Sequence, residues 1–156
     1  MAVEIERKYL VSNDYKQDVS NYYRIVQGYL SSHPERSVRI RIIDDNAFIT
    51  IKGKGNESGT TRFEWEKEID IEEGENLLEL CEPGVIEKTR NIVNYKDHIF
   101  EIDEFYGENA GLILCEVELM SEDEHIVFPH WIVKEVTGDP RYYNTSLIKS
   151  PFLSWK

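Results

Sequence analysis

Five short segments of this chain set two like charges on either side of one apolar residue, with a second apolar residue in front. They are Val3-Glu4-Ile5-Glu6, Val38-Arg39-Ile40-Arg41, Phe63-Glu64-Trp65-Glu66, Phe100-Glu101-Ile102-Asp103 and Cys115-Glu116-Val117-Glu118. Roughly one such match is expected by chance at this composition. Alternation with period two belongs to strands, and it sends each charge pair to one face and the apolar residues to the other. Like charges along one strand face repel. A fold that repeats the arrangement five times must therefore hold something between them.

The apolar partners in these strands are large: Ile5, Tyr9, Ile40, Ile42, Phe63, Trp65, Phe100, Ile102, Val117 and Leu119. They need cover, which a few helices and a second subunit would provide. Closing the sheet into a barrel meets both demands, with the apolar side outward under helices and the charged side lining a wet interior. At 156 residues, 40% hydrophobic, the chain reads as one globular domain spanning 1–156 with a core of its own. The expected fold class is α+β and mainly antiparallel β: a closed eight-stranded tunnel barrel with a charged lumen and a few covering helices.

Strands are expected over 2–11, 24–31, 37–43, 47–54, 62–71, 85–95, 98–106 and 112–120. Asp44-Asp45-Asn46 and the Lys96-Asp97 pair supply tight turns, and 53–61 reads as a flexible loop. Helices are expected at 72–81, which Pro83-Gly84 ends, near 121–127 behind Ser121 and three acids, and at 142–149 after Pro140. The formal net charge of −12 argues against an extended nucleic-acid surface. No apolar run approaches a membrane span, and the N-terminal residues lack the apolar core of a signal peptide. Two cysteines, Cys81 and Cys115, form neither a disulfide framework nor a metal-binding spacing. These readings point to a cytoplasmic protein with no nucleic-acid or membrane partner.

Inside such a barrel the acids Glu4, Glu6, Glu64, Glu66, Glu101, Asp103, Glu116 and Glu118 share one lumen with Lys8, Arg39, Arg41, Lys52, Arg62, Lys88 and Arg90. Clustered carboxylates are hard oxygen ligands, and the four histidines show no zinc spacing. Mg²⁺ or Mn²⁺ is the fitting cofactor, since such ions take a few carboxylates and complete their shells on phosphates. Clustered Lys and Arg bind phosphate by charge and by forked hydrogen bonds. The competing reading is a set of internal salt bridges.

Glu4-Ile5-Glu6-Arg7-Lys8 also reproduces the Glu-x-Glu-x-Lys signature of the CYTH family, the triphosphate tunnel metalloenzymes, and the resemblance runs nearly end to end. It continues through Gln27-Gly28-Tyr29-Leu30, Val38–Arg41, Thr50-Ile51-Lys52-Gly53, Arg62–Glu66, Glu87-Lys88-Thr89-Arg90, Glu101-Ile102-Asp103 and Glu116-Val117-Glu118. It closes with Glu135-Val136-Thr137 and Arg141-Tyr142-Tyr143-Asn144. The resemblance implies that Glu4, Glu6, Glu116 and Glu118 hold metal, with Glu64 and Glu66 supporting it or a second ion, and Asp103 is expected among the same carboxylates. It implies that Lys8, Arg39, Arg41, Lys52 and Arg90 clamp a triphosphate, with Arg62 and Tyr29 beside them. Lys88 matches a lysine implied to activate the attacking water, and a phosphate clamp is the other reading of it. A lysine crowded by Arg39, Arg41 and Arg90 is expected to have a depressed pKa.

The short-chain resemblance implies metal-dependent hydrolysis of inorganic tripolyphosphate, with nucleoside triphosphates as poorer substrates. The alternatives are a class IV-type adenylate cyclase and a binding module for polyphosphate or nucleotides without turnover. Trp131 or Trp155 would offer a surface for thiamine rings, against the plainer reading of packing. A homodimer is the expected assembly.

Overall fold

The computed structural model describes residues 3–155. Nine strands form one antiparallel sheet: β1 (Val3–Val11), β2 (Asn21–Ser31), β3 (Arg36–Ile43), β4 (Asn46–Gly53), β5 (Thr61–Ile69), β6 (Ile86–Tyr95), β7 (His98–Phe105), β8 (Ile113–Glu118) and β9 (Ile132–Glu135). Their spatial order is β5-β4-β3-β2-β6-β7-β8-β1, and pairing of β1 with β5 closes the first eight into a barrel. The alternation thus places all eight expected strands. β9 hangs on the far half of β1, where a register shift between Leu10 and Val11 re-aims the strand.

Closure rests on little. Among the described residues β1 meets β5 through Val3–Phe63, Glu4–Arg62 and Ile5–Thr61, extended by the Glu6 amide donating to the Thr60 carbonyl at 2.9 Å. Beyond that point β1 turns to β9, with the Val136 amide on the Lys8 carbonyl and the Lys8 amide on the Thr137 hydroxyl.

The outer face is covered in two places. Helix α1 (Ile71–Glu79) lies across β2, β3 and β4 at a close approach that small residues allow: a Cβ on Gly74 would stand 2.4 Å from that of Ala47. On the other side Tyr9, Phe100, Ile102, Cys115 and Val117 pack under Tyr15 and Trp131, whose indole donates to Asp18 at 2.8 Å. Trp131 is therefore core, and Trp155 packs on Tyr142 and Phe152, so the plainer reading of both rings holds. On β5, Phe63 and Trp65 remain 40% and 43% exposed.

The inward face changes character along its length. The positions that carry Lys8, Lys88, Asp103 and Glu116 continue two residues on as Leu10, Ile86, Phe105 and Leu114, which pack with Leu112, Val136, Tyr142 and Leu147. This apolar cluster fills one end of the barrel, so the charged lumen has a blind end.

Three sequence expectations change. No helix forms near 121–127, because the acids that would start one are used in tertiary contacts. The Glu122 carboxylate accepts from Asn56 Nδ2, Ser58 Oγ, Thr60 Oγ1 and Thr61 Oγ1, and Glu124 accepts from the Met120 amide and contacts His98. The same contacts pin the 53–61 loop. The helix expected over 142–149 is a single turn, α2 (Asn144–Leu147), and a 3-10 turn at Asn13–Asp18 was not signalled by the pattern.

Candidate functional site

Strand register assembles the site. On the inward face Glu6 stands opposite Glu118, Lys8 opposite Glu116, Lys52 opposite Glu64, Thr50 opposite Glu66, Glu4 opposite Arg62 and Glu101 opposite Glu116. These side chains line a cavity of about 210 Å³ together with Tyr29, Arg39, Arg41, Lys88 and Arg90. All the expected site residues except Asp103 are in that wall. Its seven acids and seven bases make it formally neutral, whereas the chain carries −12.

Some cations are committed and others are not. Arg90 is fixed by a forked pair to Asp103, Nε and Nη2 each at 2.8 Å, with Glu101 and Glu116 each at 3.5 Å. Lys52 donates to Glu4 at 2.9 Å and stands 3.5 Å from Glu64. Arg39 and Arg41 reach one acid, Glu66, at 3.9 and 3.4 Å, and Arg39 Nη2 also donates to the Thr50 hydroxyl at 3.4 Å; the buried Nε of each has no hydrogen-bond partner among the described residues. Burial, with Arg39 and Arg90 nearby, lowers the Arg41 pKa to about 10. Two desolvated guanidinium groups with free donors make an anion site.

Asp103, expected among the metal-holding carboxylates, is engaged by two cations of the protein. It faces inward at the boundary of the apolar cluster, 1% exposed, with Lys88 Nζ at 2.7 Å and the Arg90 fork on its oxygens. Burial opposes its ionisation, but Arg90 and Lys88 prevail and hold the carboxyl below its usual range. Both of its oxygens are taken by protein cations.

Lys88 is as buried as Asp103, and its pKa falls to about 8. Burial is the main cause and Arg90 adds to it against the pull of Asp103, the direction expected for a lysine crowded by arginines. Beside Asp103, the ammonium meets Asn144 Oδ1 at 3.2 Å.

The remaining acids come in pairs. Burial and the neighbouring carboxylates Glu116 and Glu4 hold Glu6 well above the carboxylate range. Glu116 is driven well below it despite burial, by Lys8, by a hydrogen bond from Glu6 and by Arg90. Glu4 and Glu64 form a second such pair, with burial and Glu4 raising Glu64 to about 6. No group of three or more His, Cys, Asp or Glu residues among the described residues is arranged to hold a metal ion. A divalent cation that binds through one or two carboxylates and finishes its shell on phosphate fits such pairs, because a shared proton marks where positive charge is wanted.

Several side chains gave no clear signal in sequence. Ser37, Thr145 and Tyr143 line the cavity, Thr50 donates to Glu66 at 2.7 Å, and Asn144 bridges Lys88 and Gln27. Ser37 and Thr50 stand two residues before Arg39 and Lys52 on the same face, and Tyr143 and Asn144 fall in a motif of the resemblance, but none of them carried an assigned role. Arg24 and Arg141 lie outside the cavity, paired with Glu87 and Asp139. Lys54 lines a neighbouring cavity of about 200 Å³.

The barrel and its lumen of balanced acids and bases define a class: the CYTH domain model matches residues 2–147, and the chain belongs to that family. It is similar to an inorganic triphosphatase of Acetivibrio thermocellus, 41% identical over all of this chain and 99% of the relative. It is also similar to an inorganic triphosphatase of Nitrosomonas europaea, 38% identical over 94% of this chain and 97% of the relative. The crystal structure of the inorganic triphosphatase NE1496 superposes with a TM-score of 0.67 at 35% identity, covering 95% of each chain. A putative adenylate cyclase from Bacillus halodurans, at 18% identity and TM-score 0.53, covers 78% of this chain and 84% of its own, and shares the fold.

Proposed function

We propose that this enzyme hydrolyses inorganic tripolyphosphate to pyrophosphate and phosphate with Mg²⁺ or Mn²⁺. The observation that carries the reading is the pair Arg39 and Arg41, buried in a closed lumen with unpartnered donors opposite paired carboxylates. The curated relatives' activity supports it. Arg39, Arg41, Lys8, Lys52 and Arg62 clamp the phosphoryl oxygens, Tyr29 shapes the wall beside them, and Arg90 presents the donors that Asp103 leaves over.

Glu4, Glu6, Glu116 and Glu118 would hold the divalent ion, with Glu64 and Glu66 beside it. When bound, the ion supplies charge neutralisation to the phosphoryl groups and acidity to a coordinated water. The protein's own part is positioning and electrostatic stabilisation, which phosphoryl transfer chiefly requires. At the blind end Lys88, partly neutral near pH 8, accepts a proton from the water that attacks the terminal phosphorus, and pyrophosphate leaves toward the mouth.

No helix among the described residues is long and apolar enough to cross a membrane, and free Cys81 and Cys115 suit a reducing cytoplasm. A homodimer would cover Val3, Phe63 and Trp65, a patch that sedimentation velocity tests directly.

The decisive assay measures phosphate, pyrophosphate and cyclic AMP from tripolyphosphate and from ATP, with Mg²⁺, Mn²⁺ or EDTA. Metal-dependent release from tripolyphosphate, lost in Glu6→Gln and Lys88→Ala, is the expected result. Cyclic AMP with pyrophosphate, or silence on every substrate, overturns the reading.

A further inference from the structure

Asn144 is the one neutral amide in the wall of the charged cavity, and its orientation follows from donor and acceptor counting. Its Oδ1 faces Lys88 Nζ at 3.2 Å and Gln27 Nε2 at 2.9 Å. Protonated Lys88 can only donate, so the Asn144 oxygen must turn to it, and the Gln27 amide must then turn its nitrogen to that same oxygen. With Oδ1 engaged twice, the Nδ2 amide is left over. It has no hydrogen-bond partner among the described residues, and Asn144 lines the cavity.

Gln27 shows that this arrangement is not the one local stability prefers. It is fully buried, and its Oε1 has no partner among the described residues. A buried acceptor left unmade is a standing penalty. It persists because Gln27 cannot turn its oxygen to a better partner without releasing Asn144.

We propose that Asn144 is a substrate-contacting residue whose Nδ2 donates to an oxygen of the phosphoryl group held at the blind end, with Gln27 as the positioning residue that fixes the amide. The inference rests on the tripolyphosphatase reading. It gives the reacting phosphoryl a neutral donor beside Lys88. It also gives the C-terminal segment a direct role in the site, through the first residue of α2.

Asn144→Asp and Asn144→Ala separate a donor from a strut. Aspartate keeps an acceptor for Lys88 and Gln27 but faces phosphate oxygens with a carboxylate; alanine removes both functions. A donor predicts loss of kcat/KM on tripolyphosphate in the order Asp worse than Ala, with Ala down about tenfold and Asp about a hundredfold. It also predicts that Ala weakens binding of the bridging-imido analogue of tripolyphosphate by about tenfold. A strut predicts the reverse order, Asp close to native and Ala impaired in kcat with analogue binding unchanged, and that result overturns the inference. Should the Asp variant fail to fold, the analogue affinity of the Ala variant decides alone. A native chain that releases phosphate while Asn144→Asp matches it sinks this inference only. A native chain that neither releases phosphate nor binds the analogue sinks the tripolyphosphatase reading and this inference with it.

Discussion

Replacing Asp103 by Asn is the most informative single perturbation of this barrel, because one carboxylate neutralises two buried cations. Lys88 is 1% and Arg90 8% exposed, and three charge-assisted contacts of 2.7–2.8 Å converge on the Asp103 oxygens. Asparagine keeps the shape, removes the charge and points an N–H at a cation. Breaking a buried ion pair from one side costs about 3–5 kcal/mol, because it leaves uncompensated charge. For a chain of this size that corresponds to roughly 6–20 °C in Tm. Lys88 can escape part of the penalty by losing its proton, so the loss should shrink as pH rises from 7 toward 10. The assay is urea and thermal unfolding in EDTA across that range, with Lys88→Met/Asp103→Asn completing a double-mutant cycle in which the pair recovers about 1 kcal/mol or more. A loss below about 1 kcal/mol, or an unchanged melt with a raised metal requirement, would refute the argument and return Asp103 to the metal-ligating set.

Other expectations follow from the same geometry. The Lys88 pKa is lowered to about 8, so kcat/KM should rise with pH through about 8, and Lys88→Arg should abolish that limb. The sign for stability agrees: the unfolded lysine binds its proton up to its ordinary value, so this group's contribution grows as pH climbs between the two values. Gly74→Ala should destabilise by about 1–3 kcal/mol in urea, since its Cβ would stand 2.4 Å from that of Ala47 and α1 must lift. Glu122→Ala removes the acceptor for Asn56, Ser58, Thr60 and Thr61, and should speed hydrogen exchange across 56–61 while β6 and β7 keep their protection.

The strands and the polar lumen were legible because period two is a strong local signal, and because repeated like charges make no sense on a solvated sheet. What escaped the sequence is non-local. Asp103 looks like Glu101 two residues before it, and only the change of the inward face to Phe105, Leu114 and Ile86 makes one a buried counter-ion and the other a cavity wall. β9 is four residues long, too short for a period to show, and it exists through pairing with β1. The acids near 121–127 carry a helix-start pattern that hydroxyls some sixty residues away outbid. Asn144 is set by Gln27, 117 residues earlier, through a contact no spacing announces.

The balance of seven acids and seven bases in the lumen also bears on how substrate arrives. A neutral cavity wall inside a chain of −12 leaves nearly all the surplus of negative charge, buried Asp103 apart, on the exterior. A free polyphosphate is therefore repelled on approach and welcomed only at the arginines. Capture should accelerate with added salt, the opposite of a steered anion-binding protein, and polyphosphate already carrying a divalent ion should enter faster than the bare chain.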